Sequence, residues 1–300
     1  MVEEQAASTF FNVGSRGYMM LPGLMAPSEV DSLAQQVDQY IASGGRMLRP
    51  YGLGNRGGWY VADFQLALPR VYAALHGRRR LHAALSDIFG GPRYRVLARN
   101  DLYTDLHTDW HLDKLSGPFT KYLGPDRCAM WKRKADGDDA GYRILTVGLY
   151  LEDHSADTDD RALTVAPYSQ HNACYRRPYA NYTTARAHPR KGDAVVFDTR
   201  ISHRGQAKAY ANFERNVAQP HRTLLTLNYG LHGEFSDGYD RGFAMRNLVL
   251  NNVSACGGKL DVRCAKKLVA ADISVNPVPL VLSKLVGPSR STKQKIHDIK

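Results

Sequence analysis

Tyr103-Thr-Asp105-Leu-His107-Thr-Asp109-Trp-His111-Leu-Asp113-Lys-Leu115 carries two His-x-Asp pairs within seven residues. Read as a strand, whose side chains alternate between faces, the stretch puts Asp105, His107, Asp109, His111 and Asp113 on one side. A face crowded with imidazoles and carboxylates is a poor core surface and a good metal-binding one. A His and an Asp two residues apart supply two thirds of a 2-His-1-carboxylate facial triad, the ligand set of non-haem Fe(II) oxygenases. The third ligand has to be a distant His that the fold brings close. His203, in Ile201-Ser-His203-Arg-Gly205, is the candidate: a Lys191-Gly-Asp193 turn leads into a buried strand with this His at its far end.

Outward from that stretch, the chain divides into helices first and strands after. Gly17 to Gly23 reads as a short apolar strand ended by Pro-Gly. Ser28 reads as an N-cap with Asp31 at the capping-box position, opening a helix to about Ile41 whose Val30, Leu33, Val37 and Ile41 fall at helical spacing. A second helix is expected from about Leu68 to Phe89, with Gly90-Gly-Pro92 ending it. Strands follow at Tyr94–Ala98, Arg143–Leu151, Ala162–Ala166, Asp193–Phe197 and Arg222–Tyr229, separated by polar, Gly- and Pro-containing turns. Short strands of this kind argue for an antiparallel sandwich or barrel with the helices outside it. Gly242–Leu250 and Val262–Ala271 are further helix candidates, and the stretch from Ser283 reads as a mobile tail. One domain over 1–300 is the simplest division: a support of helices and strands to about 93, a core over about 94–232, and an extension from 233.

Composition narrows the classes. With 43% hydrophobic and 23% charged residues, the 300-residue chain can bury a substantial core and reads as an ordinary globular protein. It holds no apolar run of about eighteen residues, so no membrane helix is expected. The acidic Met1-Val-Glu-Glu-Gln5 start lacks the pattern of a signal peptide. Cys128, Cys174, Cys256 and Cys264 lack zinc-type spacing and read as reduced thiols, so a cytoplasmic protein is expected. The net charge of +11 is dispersed over local clusters, Arg78–Arg80, Lys132–Lys134 and Lys266–Lys267. No nucleic-acid motif surrounds them, so solvated surface is expected there rather than a polyanion site.

The order of motifs along most of the chain resembles the phytanoyl-CoA dioxygenase family of Fe(II)/2-oxoglutarate oxygenases. Gly17–Ile41 resembles its opening strand and helix, and Trp110-His-Leu-Asp113 its Trp-His-x-Asp metal motif. Pro167-Tyr-Ser-Gln-His171 resembles its Pro-Gly-Ser-His turn. Lys191–Gly205 resembles the segment bearing the distal His, and Arg222-Thr-Leu-Leu-Thr-Leu227 the strand that binds 2-oxoglutarate. Two departures stand out: Asp160-Arg161 replaces the usual Gly-Gly, and Tyr168 replaces the turn's Gly. The loop from His203 to Arg222 is also longer than usual.

The resemblance implies a double-stranded β-helix (a jelly-roll, cupin-like core) with Fe(II), 2-oxoglutarate and O2 as cofactors and ascorbate as reductant in vitro. The Trp favours His111 and Asp113 over His107 and Asp109 as ligands beside His203. His107 and Asp109 then become second-shell groups or substrate contacts. Arg222 would grip the distal carboxylate of 2-oxoglutarate as a bidentate fork, with Arg215 as competitor and Thr146 or Tyr150 adding a hydroxyl. His171 is placed at the rim, as a turn residue or substrate contact, Lys191 and Asp193 as turn residues, and His154 in solvent. Because Asp113 is a carboxylate, where related halogenases carry Gly or Ala, hydroxylation, or desaturation or cyclisation by the same oxidant, is expected rather than halogenation. The substrate class implied is a polar or anionic small molecule, with Tyr168, Tyr175, Tyr179 and Tyr182 near its entrance. Acyl-CoA hydroxylation and a non-catalytic jelly-roll binding module are the alternatives.

Overall fold

The computed structural model describes residues 12–51, 58–105, 108–115, 117–123, 144–155, 162–172, 183–205 and 222–251. His107, Arg215, Tyr175, Tyr179, Tyr182, Asp160, Arg161, the four cysteines, the Lys132 and Lys266 clusters, the 262–271 helix and the tail from Ser283 lie outside them. In chain order the elements are α1 (Asn12–Arg16), β1 (Tyr18–Leu21), α2 (Pro27–Ala42), β2 (Arg49–Tyr51), β3 (Gly58–Val61), α3 (Phe64–Ala67), α4 (Pro69–His76), α5 (Arg79–Phe89), β4 (Tyr94–Thr104) and β5 (Thr108–His111). There follow β6 (Ile144–Tyr150), β7 (Leu163–Ala166), β8 (Ala185–Arg186), β9 (Ala194–Asp198), β10 (Ser202–Gly205), β11 (Thr223–Leu231) and α6 (Glu234–Asn251). No helix among the described residues is long and apolar enough to cross a membrane.

The strands form two antiparallel sheets. The larger has the order β1-β9-β6-β11-β4-β3-β2, the smaller β5-β10-β7-β8. Alternation sorts the larger sheet's residues. Leu145, Val147, Leu149, Leu225, Leu227 and Tyr229 pack with Val30, Leu33, Val37, Val71, Leu75, Leu81 and Leu85 of the N-terminal helices. The other face meets the smaller sheet, where Tyr150, Val195 and Phe197 pack with Leu163 and Val165. β6 and β11 are therefore covered on both sides, which is why they read as nearly continuous apolar runs. Each fully buried Leu or Val contributes about 1.5–3 kcal/mol. A separate apolar cluster of Leu97, Leu115, Phe119, Phe235, Tyr239 and Phe243 seats α6 against β4.

Three local expectations change. The α2 N-cap is Ala26, not Ser28: Pro27, preset for a first turn, takes N1. Glu29 rather than Asp31 then sits at N3, and its carboxylate accepts the Ala26 amide at 2.9 Å. The expected Leu68–Phe89 helix is two, because Gly77 ends α4 and side chains satisfy its last carbonyls: Arg78 Nε donates to Ala74 O (2.9 Å) and His82 Nε2 to His76 O (2.6 Å). The strand expected over Tyr103–Leu115 breaks at Asp105, whose φ of 51° is left-handed. β4 ends before it, β5 begins in the other sheet, and Asp113 lies beyond the end of β5.

The Lys191-Gly-Asp193 turn is a junction. Asp193 accepts the amides of Gly23 (2.6 Å) and Arg190 (2.9 Å), and the Gly192 carbonyl accepts the Met25 amide at 3.0 Å. Gly192 has φ +90°, and a Cβ there would lie 2.2 Å from Met25 O. Gly192→Ala should cost about 2–4 kcal/mol in urea unfolding. Gly44→Ala, at φ +67° with nothing nearby, should cost about 1 kcal/mol.

Between α4, α5 and the sheet, His76 Nδ1 bonds the Tyr229 hydroxyl at 2.9 Å and its ring stacks on Tyr72. Burial, helped by neighbouring His82, pulls the His76 imidazole down to about 4. A base whose pKa falls on folding stabilises the protein above its unfolded value, near 6.5, and loses that contribution as pH drops toward 4. Wild type should therefore lose more stability than His76→Gln between pH 6.5 and 4, as read from paired thermal melts; parallel pH profiles would contradict this.

Candidate metal centre

β5 and β10 pair antiparallel in the smaller sheet, in a register that makes His111 and His203 direct partners. Opposed residues on one face of a sheet have Cβ atoms about 5 Å apart, so the pairing alone brings the imidazoles together, with ring centres 4.3 Å apart. In each ring Nδ1 contacts the carbonyl two residues earlier: Asp109 O at 2.7 Å for His111, Ile201 O at 3.0 Å for His203. A carbonyl only accepts, so Nδ1 carries the proton and Nε2 presents its lone pair. Burial and the adjacent His111 pull the His203 imidazole down to about 4, so it is neutral near pH 7.

Asp113 arrives differently. Past His111 the chain leaves the sheet, and the Asp113 amide donates to Thr199 O (3.0 Å) in the turn between β9 and β10. This swings the carboxylate between the sheets, with Oδ1 at 3.6 Å from both His111 Nε2 and His203 Nε2. The three ligand atoms lie within 4.8 Å of one another, the one such His/Cys/Asp/Glu grouping among the described residues. For bonds of about 2.1 Å at right angles, donors sit about 3 Å apart, so a modest closure suffices for one ion. Burial acts to raise the Asp113 pKa, yet the Arg99 guanidinium, which also hydrogen-bonds it, holds it well below the usual carboxylate range.

Two side chains of the larger sheet fix that carboxylate: Arg99 Nη2 donates to Oδ1 at 2.8 Å and Thr146 Oγ1 to Oδ2 at 3.3 Å. Thr146 also accepts from Asn228 Nδ2 at 3.2 Å. Thr146 is thus engaged with Asp113, away from Arg222. It and Tyr150 share a face of β6 but stand four residues, about 13 Å, apart. Tyr150 is the one beside Arg222, accepting from Nη2 at 3.3 Å. Arg222 is buried between the sheets, and a Cβ on Gly205 would come within 2.9 Å of its guanidinium. Its backbone is clamped to the left-handed Asp105: the Arg222 amide donates to Asp105 Oδ1 (2.9 Å), and the Asp105 amide to Arg222 O (2.8 Å).

Other expected site residues distribute as follows. Asp109 is exposed and stays outside the ligand group. Trp110 faces away from the ligands, under the Arg204 guanidinium at 5.0 Å. His171 lies in a 3₁₀ turn (Ser169–Asn172) against Gln170, apart from the ligand group. In that turn Tyr168 takes the left-handed φ of 69° that a Gly would take, and buried Ser169 accepts the Ser202 amide at 2.8 Å, pinning the start of β10. His154, expected in solvent, is fully buried, 3.9 Å from Glu152 and edge-on to Tyr150. Arg99 is the site residue that motif reasoning passes over. Its signal is the alternation of β4, which sets Arg99, Asp101 and Tyr103 on one inward face.

No protein-family model matches the sequence, and no curated protein matches it. Solved structures do match. The non-heme alpha ketoglutarate dependent epimerase SnoN from nogalamycin biosynthesis, solved with Fe3+, alpha ketoglutarate and nogalamycin RO, superposes with a TM-score of 0.55 at 18% identity over 76% of this chain and 84% of that one. The carbocyclase SnoK from the same biosynthesis gives 0.54 at 16% identity over 74% and 83%. HygX from Streptomyces hygroscopicus, solved with nickel, 2-oxoglutarate and hygromycin B, gives 0.51 at 18% identity over 77% and 88%. The chain has their fold. Two antiparallel sheets with flanking helices are the jelly-roll arrangement expected from the sequence.

The geometry separates the two His-x-Asp pairs by experiment. Asp113→Ala and His203→Ala should each weaken nickel(II) binding, followed by calorimetry, at least about 100-fold. Asp109→Ala should leave it within about 3-fold, because only its backbone carbonyl touches His111. Loss of nickel binding in Asp109→Ala would move the centre to the other pair.

Proposed function

We propose that this chain is an Fe(II)- and 2-oxoglutarate-dependent oxygenase acting on a small-molecule metabolite, with hydroxylation as the outcome. His111, Asp113 and His203 hold the metal, and Arg222 with Tyr150 takes the distal carboxylate of 2-oxoglutarate. The observation that carries this reading is the convergence of two Nε2 atoms and one carboxylate oxygen, with both Nδ1 atoms already committed to backbone carbonyls. The metal and 2-oxoglutarate bound in the SnoN and HygX structures support it, as does the run of motifs resembling phytanoyl-CoA dioxygenases.

A ferrous ion held there supplies dioxygen activation coupled to oxidation of 2-oxoglutarate to succinate and CO2. The protein supplies position and dryness. The β5–β10 register sets the two imidazoles side by side, so a metal held by them and Asp113 would keep positions for non-protein ligands. Thr146 and Arg99 hold the carboxylate in one orientation. Arg222, beside Tyr150 at the far end of β6 from Thr146, sets the far limit for a diacid. Phe197 packs against His203 at 4.8 Å and, with Val165 and Leu163, keeps water from the ligand strand. A site closed in this way favours oxidation of a positioned substrate over uncoupled turnover.

Purified protein supplied with Fe(II), ascorbate and 2-oxoglutarate should release succinate slowly even without its substrate. Arg222→Met should raise the 2-oxoglutarate KM at least about tenfold, the worth of a charge-assisted hydrogen bond, while nickel(II) affinity stays unchanged. No succinate above a metal-free control would overturn the proposal.

A further inference from the structure

Arg99 does more in this arrangement than orient a ligand. Its Nη2 occupies Asp113 Oδ1, and its Nε leans on Asp101 Oδ2 at 3.4 Å. Its guanidinium lies over the Phe243 ring, 5.2 Å from the centroid. Asp101 is itself held, accepting from Tyr103 (2.7 Å) and Tyr60 (3.1 Å). The guanidinium plane is therefore fixed at three points and cannot swing to find another acceptor. Yet Nη1 is buried and makes no hydrogen bond within 3.5 Å among the described residues, with the Tyr239 hydroxyl near the guanidinium as a weak neighbour. A charged N–H shut away from water without an acceptor is costly, and this one is one bond angle away from the nitrogen that touches a metal-ligand oxygen. Whatever anion binds the metal beside Asp113 comes within its reach.

The sheet register places the two arginines at opposite ends of the inward face. Arg222 is hydrogen-bonded to Asp105, just past the end of β4, and Arg99 sits six residues back along the same strand, near Thr146 and Asn228. A ligand with an anionic group at each end suits such a pair, and a 2-oxo diacid bound to the metal through its 2-oxo acid end is one. We infer that Arg99 is a second anion anchor of the site, presenting Nη1 to the metal-proximal carboxylate of the 2-oxo acid while Nη2 keeps Asp113 in place. This rests on the reading of the site as a 2-oxoglutarate site, and it divides the co-substrate between two guanidinium groups, one per carboxylate.

The test uses nickel(II)-loaded protein and calorimetry with two ligands: 2-oxoglutarate, and 2-oxopentanoate, in which a methyl replaces the distal carboxylate. Arg99→Met removes a partner of the Asp113 carboxylate, so nickel(II) affinity should fall about 10- to 100-fold, and the acids are titrated at saturating nickel(II). The substitution should weaken both acids at least about tenfold and by the same factor. Arg222→Met should weaken 2-oxoglutarate alone. Arg99→Lys keeps the charge but not the fork, so it should hold the metal and still lose the acids about tenfold; it serves should Arg99→Met fail to fold. Loss of metal and acids together in both variants would make Arg99 a scaffold residue and overturn the inference, as would acid affinities within twofold of wild type. A wild-type protein that binds nickel(II) but neither acid would sink the 2-oxoglutarate reading itself.

Discussion

The site depends on one pairing: two short strands, β5 and β10, in a register that sets His111 opposite His203. Everything else serves that register. Ser169 pins the first residue of β10, and the Thr108 hydroxyl accepts the Gly205 amide at its end. A slip of β10 by one residue would turn His203 to the outer face and leave His111 without its partner imidazole. The ladder shifts between His203 and Gly205, a local irregularity of the kind strands use to re-aim side chains near functional sites.

The carboxylate is held by a different physics. Asp113 is buried, and a buried charge needs partners; removing one typically costs about 3–5 kcal/mol. Here Arg99 and Thr146 provide them before any metal does. The consequence is a carboxylate already oriented and ionised, so an incoming metal would meet a formed site rather than order one. The same interior carries Asp101, Tyr60, Tyr103 and Arg246, with Arg246 donating to Tyr60 at 3.1 Å, so the wall beside the metal is a closed polar network rather than a greasy one. Such networks are stable only when nearly every member is satisfied.

Much of this was legible in the sequence because strand alternation and motif order are local signals. His111, Asp113 and His203 could be singled out from spacing, Arg222 from its place at the head of an apolar strand, and the helix-outside, strand-inside plan from periodicity. What was not legible depends on tertiary partners. Nothing in Asp105 announces a left-handed residue that breaks one strand into two sheets, so alternation alone puts Asp113 on a strand it lies beyond. Thr146 and Tyr150 look equivalent by alternation, and only the 13 Å between them assigns one to the metal and the other to Arg222. His154 sits in a polar Glu-Asp-His run yet is fully buried, because its amide donates to Pro189 O across the fold. Arg99 sits in the sequence as an ordinary charged residue and becomes part of the centre only when Asp113 arrives beside it.

The central claim is that three protein groups hold one ion and leave room for a chelating 2-oxo acid. Anaerobic optical titration tests it most directly. Ferrous ion added to the protein, followed by 2-oxoglutarate, should develop the visible charge-transfer band of a ferrous 2-oxo-acid chelate, saturating at one equivalent of each. A protein that takes up the ion but stays colourless with saturating 2-oxoglutarate would contradict the account.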